Sequence, residues 1–255
     1  MDDELIQLER DPTGVVILTL NRGDKRNALN VSLLRQLADA IEDLERDHVS
    51  RVVIIRGNGP VFCAGLDLIE ANDPAVAEHS AAGINRMLAV IQNSPLIVIA
   101  AAHGGAYAGG AGMLAACDLV VGADDLKLGF PEVRRGLVAA MVWGVLTRKV
   151  RDGDLRELLL LGEPITADRA RQMGLVQWIV PPSELLSRAR EIAVGVVTGG
   201  PHAVRETKLL LNQDSSSVNF VELQALHERV RMSDEAREGL AAFRERREPH
   251  WRSQH

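Results

Sequence analysis

The stretch Ala101 to Gly136, AAHGGAYAGGAGMLAACDLVVGADDLKLGFPEVRRG, decides how the rest of the chain is read. Five glycines crowd between Gly104 and Gly112, far more than one turn needs. Glycine at this density lets backbone approach a ligand closely and leaves amide N–H groups unobstructed by side chains. The apolar run Met113 to Ala116 follows directly, so the glycines are expected to open a helix whose first N–H groups have no partner inside it. That end of a helix favours negative charge, which points to a site for an anion, or for an oxygen that becomes anionic during reaction. The plainer alternative is tight packing of a buried turn.

A chain of 255 residues with 46% hydrophobic content can bury a substantial core, as one large domain or as a domain with a small appendage. The net charge of −6 and an aromatic content of 3% argue against a nucleic-acid binder, which needs a basic face and rings for stacking bases. Cys63 and Cys117 cannot make a disulfide framework, and their apolar neighbours suggest buried thiols in a reducing compartment. The opening MDDELIQLER carries no apolar targeting segment, so a cytoplasmic protein is expected. Leu96 to Cys117 is free of charge if His103 is neutral, long enough to imitate a membrane span. Its glycine clusters, with Pro95 before and Asp118 after, instead suit a buried strand, a loop and a buried helix, and no membrane association is expected.

Outward from that stretch, Val15–Leu20 is rich in β-branched residues and ends at Asn21-Arg22-Gly23, a strand entering a loop. Asn30 precedes a helix on which Leu33, Leu34, Leu37, Ile41 and Leu44 share one face. Val52–Ile55 is the next strand, and strand, helix, strand in that order predicts parallel pairing. Further strands are expected at Ile97–Ala100, Leu119–Val121, Leu126–Leu128 and near Trp178, with helices around Ile84–Ile91, Asp152–Leu161, Asp168–Gln172 and Leu185–Val197. From Pro201 the sequence turns helix-forming and charge-rich, with Ser233 placed to cap a last helix.

Four ordered motifs carry a resemblance over essentially the whole chain. They are NRGDKRNALN from Asn21, FCAGLDL from Phe62, the quoted glycine stretch continuing into GFPEVRRGL, and LLLLGEPITADRARQMGLVQWIVP from Leu158. The glycine stretch is similar to A-x-x-G-x-A-x-G-G-G-x-E-L-A-x-x-C-D of the enoyl-CoA hydratase/isomerase, or crotonase, superfamily. The resemblance implies an α/β fold, a crotonase-like spiral of ββα units over residues 1–200, with a C-terminal helical oligomerisation segment over 201–255. It implies a homotrimer or a dimer of trimers, and an acyl-CoA thioester as substrate, so that coenzyme A arrives with the substrate and no separate cofactor or metal is expected. The Leu66 and Gly109 N–H groups correspond to the two oxyanion-hole donors. Glu132 corresponds to the second of the two catalytic glutamates of typical hydratases. Lys25, Arg26, Ala28, Ala64, Gly65, Asp67 and Leu68 fall in segments that meet CoA, and Trp143 is a candidate wall of the acyl pocket.

The residues alone leave Glu132 open between a general acid/base and a surface acid paired with Arg134 or Arg135; the resemblance favours the first. The family's first glutamate falls on Gly112 and is absent, and its P-G-x-G-G-T-Q segment is replaced by Val138 to Gly144. The reading is therefore a single-glutamate enoyl-CoA hydratase, with double-bond isomerisation as the close alternative and a non-catalytic acyl-CoA-binding protein as an alternative of another class. Gly110 to Ala115 also fits G-x-G-x-x-A, but a glycine loop rather than a strand precedes it, which argues against a nicotinamide enzyme. The histidines have no metal-ligand spacing and there is no G-x-S-x-G elbow. His103, Tyr107 and Asp118 are expected to satisfy local backbone groups rather than touch substrate.

Overall fold

The computed structural model describes residues 4–71, 73–213 and 219–252; residues 1–3 and 253–255 of the two expected segments lie outside these. A six-stranded sheet runs in the order β1 (Ile6–Arg10), β2 (Val15–Leu20), β3 (Val52–Gly57), β4 (Ile97–Ala102), β6 (Leu119–Ala123), β9 (Trp178–Val180). A three-stranded sheet is formed by β5 (Gly105–Tyr107), β7 (Lys127–Gly129) and β8 (Ile165–Thr166). The pairs from β2 to β9 in the large sheet are parallel, as the strand-helix-strand order predicts, while β1 pairs antiparallel with β2.

Successive side chains of a strand point to opposite faces, so a sheet covered on both sides needs continuous apolar runs. That is why VVILTL, VVII and IVIAAA read as unbroken. Leu18, Val53, Ile55, Val98, Ala100 and Val120 bury one face beneath α1 (Val31–Arg46), α3 (Pro74–Asn93) and α4 (Gly109–Ala116). Ile17, Val52, Ile54, Ile97, Ile99 and Val121 bury the other beneath α8 (Leu185–Val197). The α1 stripe behaves as its spacing predicts: Leu33, Leu34, Leu37, Ile41 and Leu44 are all buried, and the Asn30 side chain accepts the Leu33 N–H at 2.9 Å. Between these lie the short helices α2 (Leu68–Ala71), α5 (Ala140–Leu146), α6 (Asp152–Arg156) and α7 (Ala167–Gln172).

The C-terminal part is α9 (Pro201–Leu211), α10 (Phe220–Arg231) and α11 (Asp234–Glu245), the last capped by Ser233, which accepts the Ala236 N–H. A buried lysine fastens α9 to the core. Lys208 Nζ donates to Leu96 O at 2.8 Å, Ile91 O at 3.2 Å and Asp118 Oδ2 at 2.7 Å. Among the described residues no helix is long and apolar enough to cross a membrane.

Candidate active site

Three segments lie side by side where the two sheets meet. Leu29 N–H donates to Gly65 O at 2.8 Å and Asp67 N–H to Leu29 O at 3.0 Å, so the segment around Leu66 runs parallel to that around Leu29. Cys63 N–H donates to Gly105 O at 3.1 Å and Tyr107 N–H to Cys63 O at 3.0 Å, which lays the same segment along β5. In a parallel bridge the residue between the two bonded groups turns its own N–H to the other side. The Leu66 amide is so turned, away from Leu29.

Asn27 holds this arrangement together from inside. It is fully buried at φ 53, a left-handed conformation that Asn tolerates better than most residues. Its Nδ2 faces the carbonyls of Asn58, Val61 and Phe62 at 2.8–3.0 Å, and its Oδ1 accepts the Arg22 N–H. Gly65 sits at φ +90, and a Cβ there would lie 2.6 Å from Tyr107 O, so only glycine lets the 63–66 segment approach the glycine stretch this closely.

The stretch then enters α4 through Ala108, whose φ 48 and ψ −121 are strained for a residue with a side chain. The motif resembled above has glycine at this place. Ala108 N–H donates to Gly129 O at 2.9 Å, which fastens the helix start to the end of β7. Gly109 is the first residue of the helix, and among the described residues neither its N–H nor that of Leu66 has an acceptor. Two free amides, one on the buried Gly109 and one on the half-buried Leu66, suit an oxygen that gains negative charge.

Glu132 follows Gly129 by three residues, in the turn Pro131–Arg135. Its Oε2 is buried without a hydrogen-bond partner. Burial raises its pKa above the ordinary carboxylate value, opposed only in part by its own amide and the charge of Arg135. Arg134 is engaged elsewhere, with Glu163 and Leu161 O, and among the described residues no arginine forms an ion pair with Glu132.

The remaining expected residues are placed unevenly. Lys25, Arg26 and Leu68 are exposed, and Ala28, Ala64 and Gly65 lie along the bridged segments. Asp67 is already committed: its carboxylate accepts from Arg22 at 2.7 Å and from the Ile69 N–H at 3.0 Å. Burial pushes that carboxyl up, but these bonds outweigh it and hold the group below its ordinary value. It shapes the loop rather than offering a free group. Trp143 is 55% exposed on α5, and the residue turned inward there is its neighbour Val142. A Cβ on Gly112 would lie 2.3 Å from Val142 Cγ1, so the position of the family's first glutamate faces a filled space.

Two of the three expected structural roles, those of His103 and Asp118, are visible. His103 Nε2 meets Gly59 O at 2.8 Å, and Asp118 accepts the Val98 N–H at 2.7 Å besides pairing with Lys208. Cys63 and Cys117 are buried and unbridged, and burial pushes both thiols up to about 12. Among the described residues no group of three or more His, Cys, Asp or Glu is placed to hold a metal. A cavity of about 670 Å³ lies under α9, lined by Asp118, Lys149, Lys208 and Asn212 among others, but Leu66, Gly109 and Glu132 do not line it.

A family model described as enoyl-CoA hydratase/isomerase matches residues 10–254. An enoyl-CoA isomerase/hydratase of Mycosarcoma maydis is 31% identical over 254 residues, covering 93% of this chain and 92% of its own. A mevalonyl-coenzyme A hydratase of Aspergillus fumigatus is 33% identical over 250 residues, covering 93% and 91%. The crystal structure of an enoyl-CoA hydratase of Mycobacterium smegmatis matches with a TM-score of 0.90 at 32% identity, covering 97% of this chain and 99% of that one.

Proposed function

Because the chain belongs to the enoyl-CoA hydratase/isomerase family, we propose that it is a single-glutamate enoyl-CoA hydratase, adding water reversibly to a 2-enoyl-CoA thioester. The observation that carries the reading is the buried, unpartnered Oε2 of Glu132. The thioester oxygen sits between the Leu66 and Gly109 N–H groups, which stabilise the enolate; one such donor is typically worth ~3–4 kcal/mol. Glu132 takes a proton from water as the oxygen adds to the β carbon, then returns a proton to the α carbon on the same face. Burial raises the Glu132 carboxyl above its ordinary value, which makes the carboxylate a stronger base for the first half, and the acid so formed returns the proton in the second. Lys25, Arg26, Ala28, Ala64, Gly65 and Leu68 border the path of CoA, which comes with the substrate, and the reading calls for no separate cofactor.

A second reading, isomerisation of a 3-enoyl to a 2-enoyl thioester, is favoured by Val142. With that side chain against Gly112 there is one carboxylate to carry one proton between carbons. Incubation with 2-enoyl-, 3-enoyl- and 3-hydroxyacyl-CoA thioesters in heavy water separates the two. Hydration places solvent deuterium on the α carbon of a 3-hydroxyacyl product, whereas a shielded carboxylate returns the substrate's own proton. Binding of several thioesters without turnover of any overturns both and leaves an acyl-CoA-binding protein.

The chain assembles, on this reading, as a cytoplasmic homotrimer or dimer of trimers through its C-terminal helices. Phe220, Leu240 and Phe243 expose apolar side chains there. Sedimentation equilibrium giving a monomer at micromolar concentration would exclude it.

A further inference from the structure

We propose that Val142 is a specificity-determining residue, whose Cγ1 methyl occupies the seat above Gly112 and keeps the site to a single carboxylate. The proposal rests on the reading of Glu132 as the acid/base. Gly112 lies three residues after Gly109 on α4, so the two share one helix face. Along that face a Cβ on Gly109 would meet Ile84 Cδ1 at 3.0 Å, and one on Gly112 would meet Leu88 Cδ2 at 3.7 Å, both from α3. From the other side comes α5, with Val142 Cγ1 at 2.3 Å and Cβ at 3.2 Å from the same ideal Gly112 Cβ. The first contact is shorter than any real Cβ tolerates.

Val142 cannot step aside cheaply. It is buried, it sits on a helix where a β-branched side chain has essentially one rotamer, and Val145 and Leu146 pack the same flank. The obstacle to a side chain at position 112 is therefore the Val142 side chain, chiefly its Cγ1 methyl, not backbone. Gly112 and Val142 act as a pair: small beneath large. A substitution at 112 alone adds a group with no space, and at 142 alone opens an apolar seat with nothing polar to hold a second proton or a water. Both changes together are needed to bring in a second carboxylate, and hydration gains most from it because water and the α-carbon proton can then be handled by different groups.

The test compares wild type, G112E, V142A and G112E/V142A on 2-enoyl- and 3-enoyl-CoA thioesters, reading the ratio of hydration to isomerisation. The expected result is a rise of about tenfold or more in G112E/V142A over V142A, with no rise in G112E. A rise in G112E equal to that in the double variant overturns the proposal, as does a folded double variant with no rise. Melting temperatures of G112A, V142A and G112A/V142A supply a readout independent of activity. G112A is expected to lower Tm by about 2–12 °C, as overpacking does in a chain of this size, and to cost much less in the V142A background. Equal cost in both backgrounds means the seat is not Val142's. If no thioester turns over with any variant, the functional reading fails on its own, and the melting temperatures alone decide whether Val142 fills the seat.

Discussion

Replacing Glu132 by Gln removes the proposed acid/base while keeping the shape and one hydrogen-bonding face of the side chain, and it should move activity and stability in opposite directions. General acid–base catalysis is commonly worth about 10²–10⁴-fold, or about 3–5 kcal/mol of barrier, so turnover of the best thioester should fall by at least two orders while CoA-ester binding changes little. The stability effect follows from burial. Oε2 has no partner, and burial raises the carboxyl above its ordinary value of 4.5, so the folded protein keeps this proton to a higher pH than the unfolded chain does. Between the unfolded and folded values the native state binds more protons, and stability falls as pH rises through that window. Above it the full cost of a buried charge is present. Glu132→Gln should therefore melt higher than wild type at pH 7–8, and the difference should vanish as pH falls below about 4. The acid limb of the wild-type pH–rate profile should likewise lie above the ordinary carboxylate range. Scanning calorimetry across pH, with turnover measured on the same samples, decides the matter. Wild-type turnover in the variant refutes the catalytic role, and a stability difference independent of pH refutes the burial argument.

Three further outcomes follow from the same packing. Lys208→Met leaves Asp118 and two carbonyls without their buried cation, and should cost about 3–5 kcal/mol in denaturant unfolding, with Asp118→Asn in the same chain recovering part of it. Ala108→Gly relieves the φ 48 conformation, which costs of order 1–3 kcal/mol for a residue with a side chain; the melting temperature should rise by a few degrees, and a fall would show that the Ala108 methyl packs more than it strains. Gly65→Ala places a methyl 2.6 Å from Tyr107 O at a φ of +90, so the Leu66 amide must move; kcat should fall by about 10²-fold or more with far less effect on CoA-ester binding by calorimetry.

What was readable from the sequence divides along physical lines. Runs and periodicities are local, so β2, β3, β4, the stripe of α1 and the whole of α8 could be read directly. β1 could not: IQLER lies at the sheet edge with one buried residue and four exposed ones, and carries almost no apolar signal. Lys208 is a charged residue in a charge-rich helix, and its partner Asp118 is 90 residues away, so nothing near it announces a buried cation. Asn27 stood within a quoted motif, but its bonds to Asn58, Val61 and Phe62 depend on a loop more than 30 residues on. Trp143 is a candidate pocket wall from its place in the replaced segment; helix phase turns Val142, Val145 and Leu146 inward on α5 and leaves the indole exposed. The absence of glutamate at 112 was plain in the sequence, whereas the side chain that takes its space lies 30 residues further on and is found only from packing.

The short helix α4 joins these observations. Its N-terminal end presents the unpartnered Gly109 amide, where a helix favours negative charge, and its C-terminal end at Cys117 favours positive charge. Lys149 supplies that charge by donating to Cys117 O, and Lys208 adds a second ammonium on the neighbouring Asp118. Burial lowers the pKa of Lys149, which is the cost of bringing an ammonium this far inside, and the neighbouring Cys117 and Asp118 offset it only in part. Both amines come from segments outside the glycine stretch, one following α5 and one on α9. The eight-residue helix is too short to stand by its own hydrogen bonds. Its direction, and with it the aim of the Gly109 N–H, is therefore set by α3 and α5 along its flank and by two lysines at its far end. The C-terminal helix α9 thus takes part in positioning the candidate site although none of its side chains reaches it.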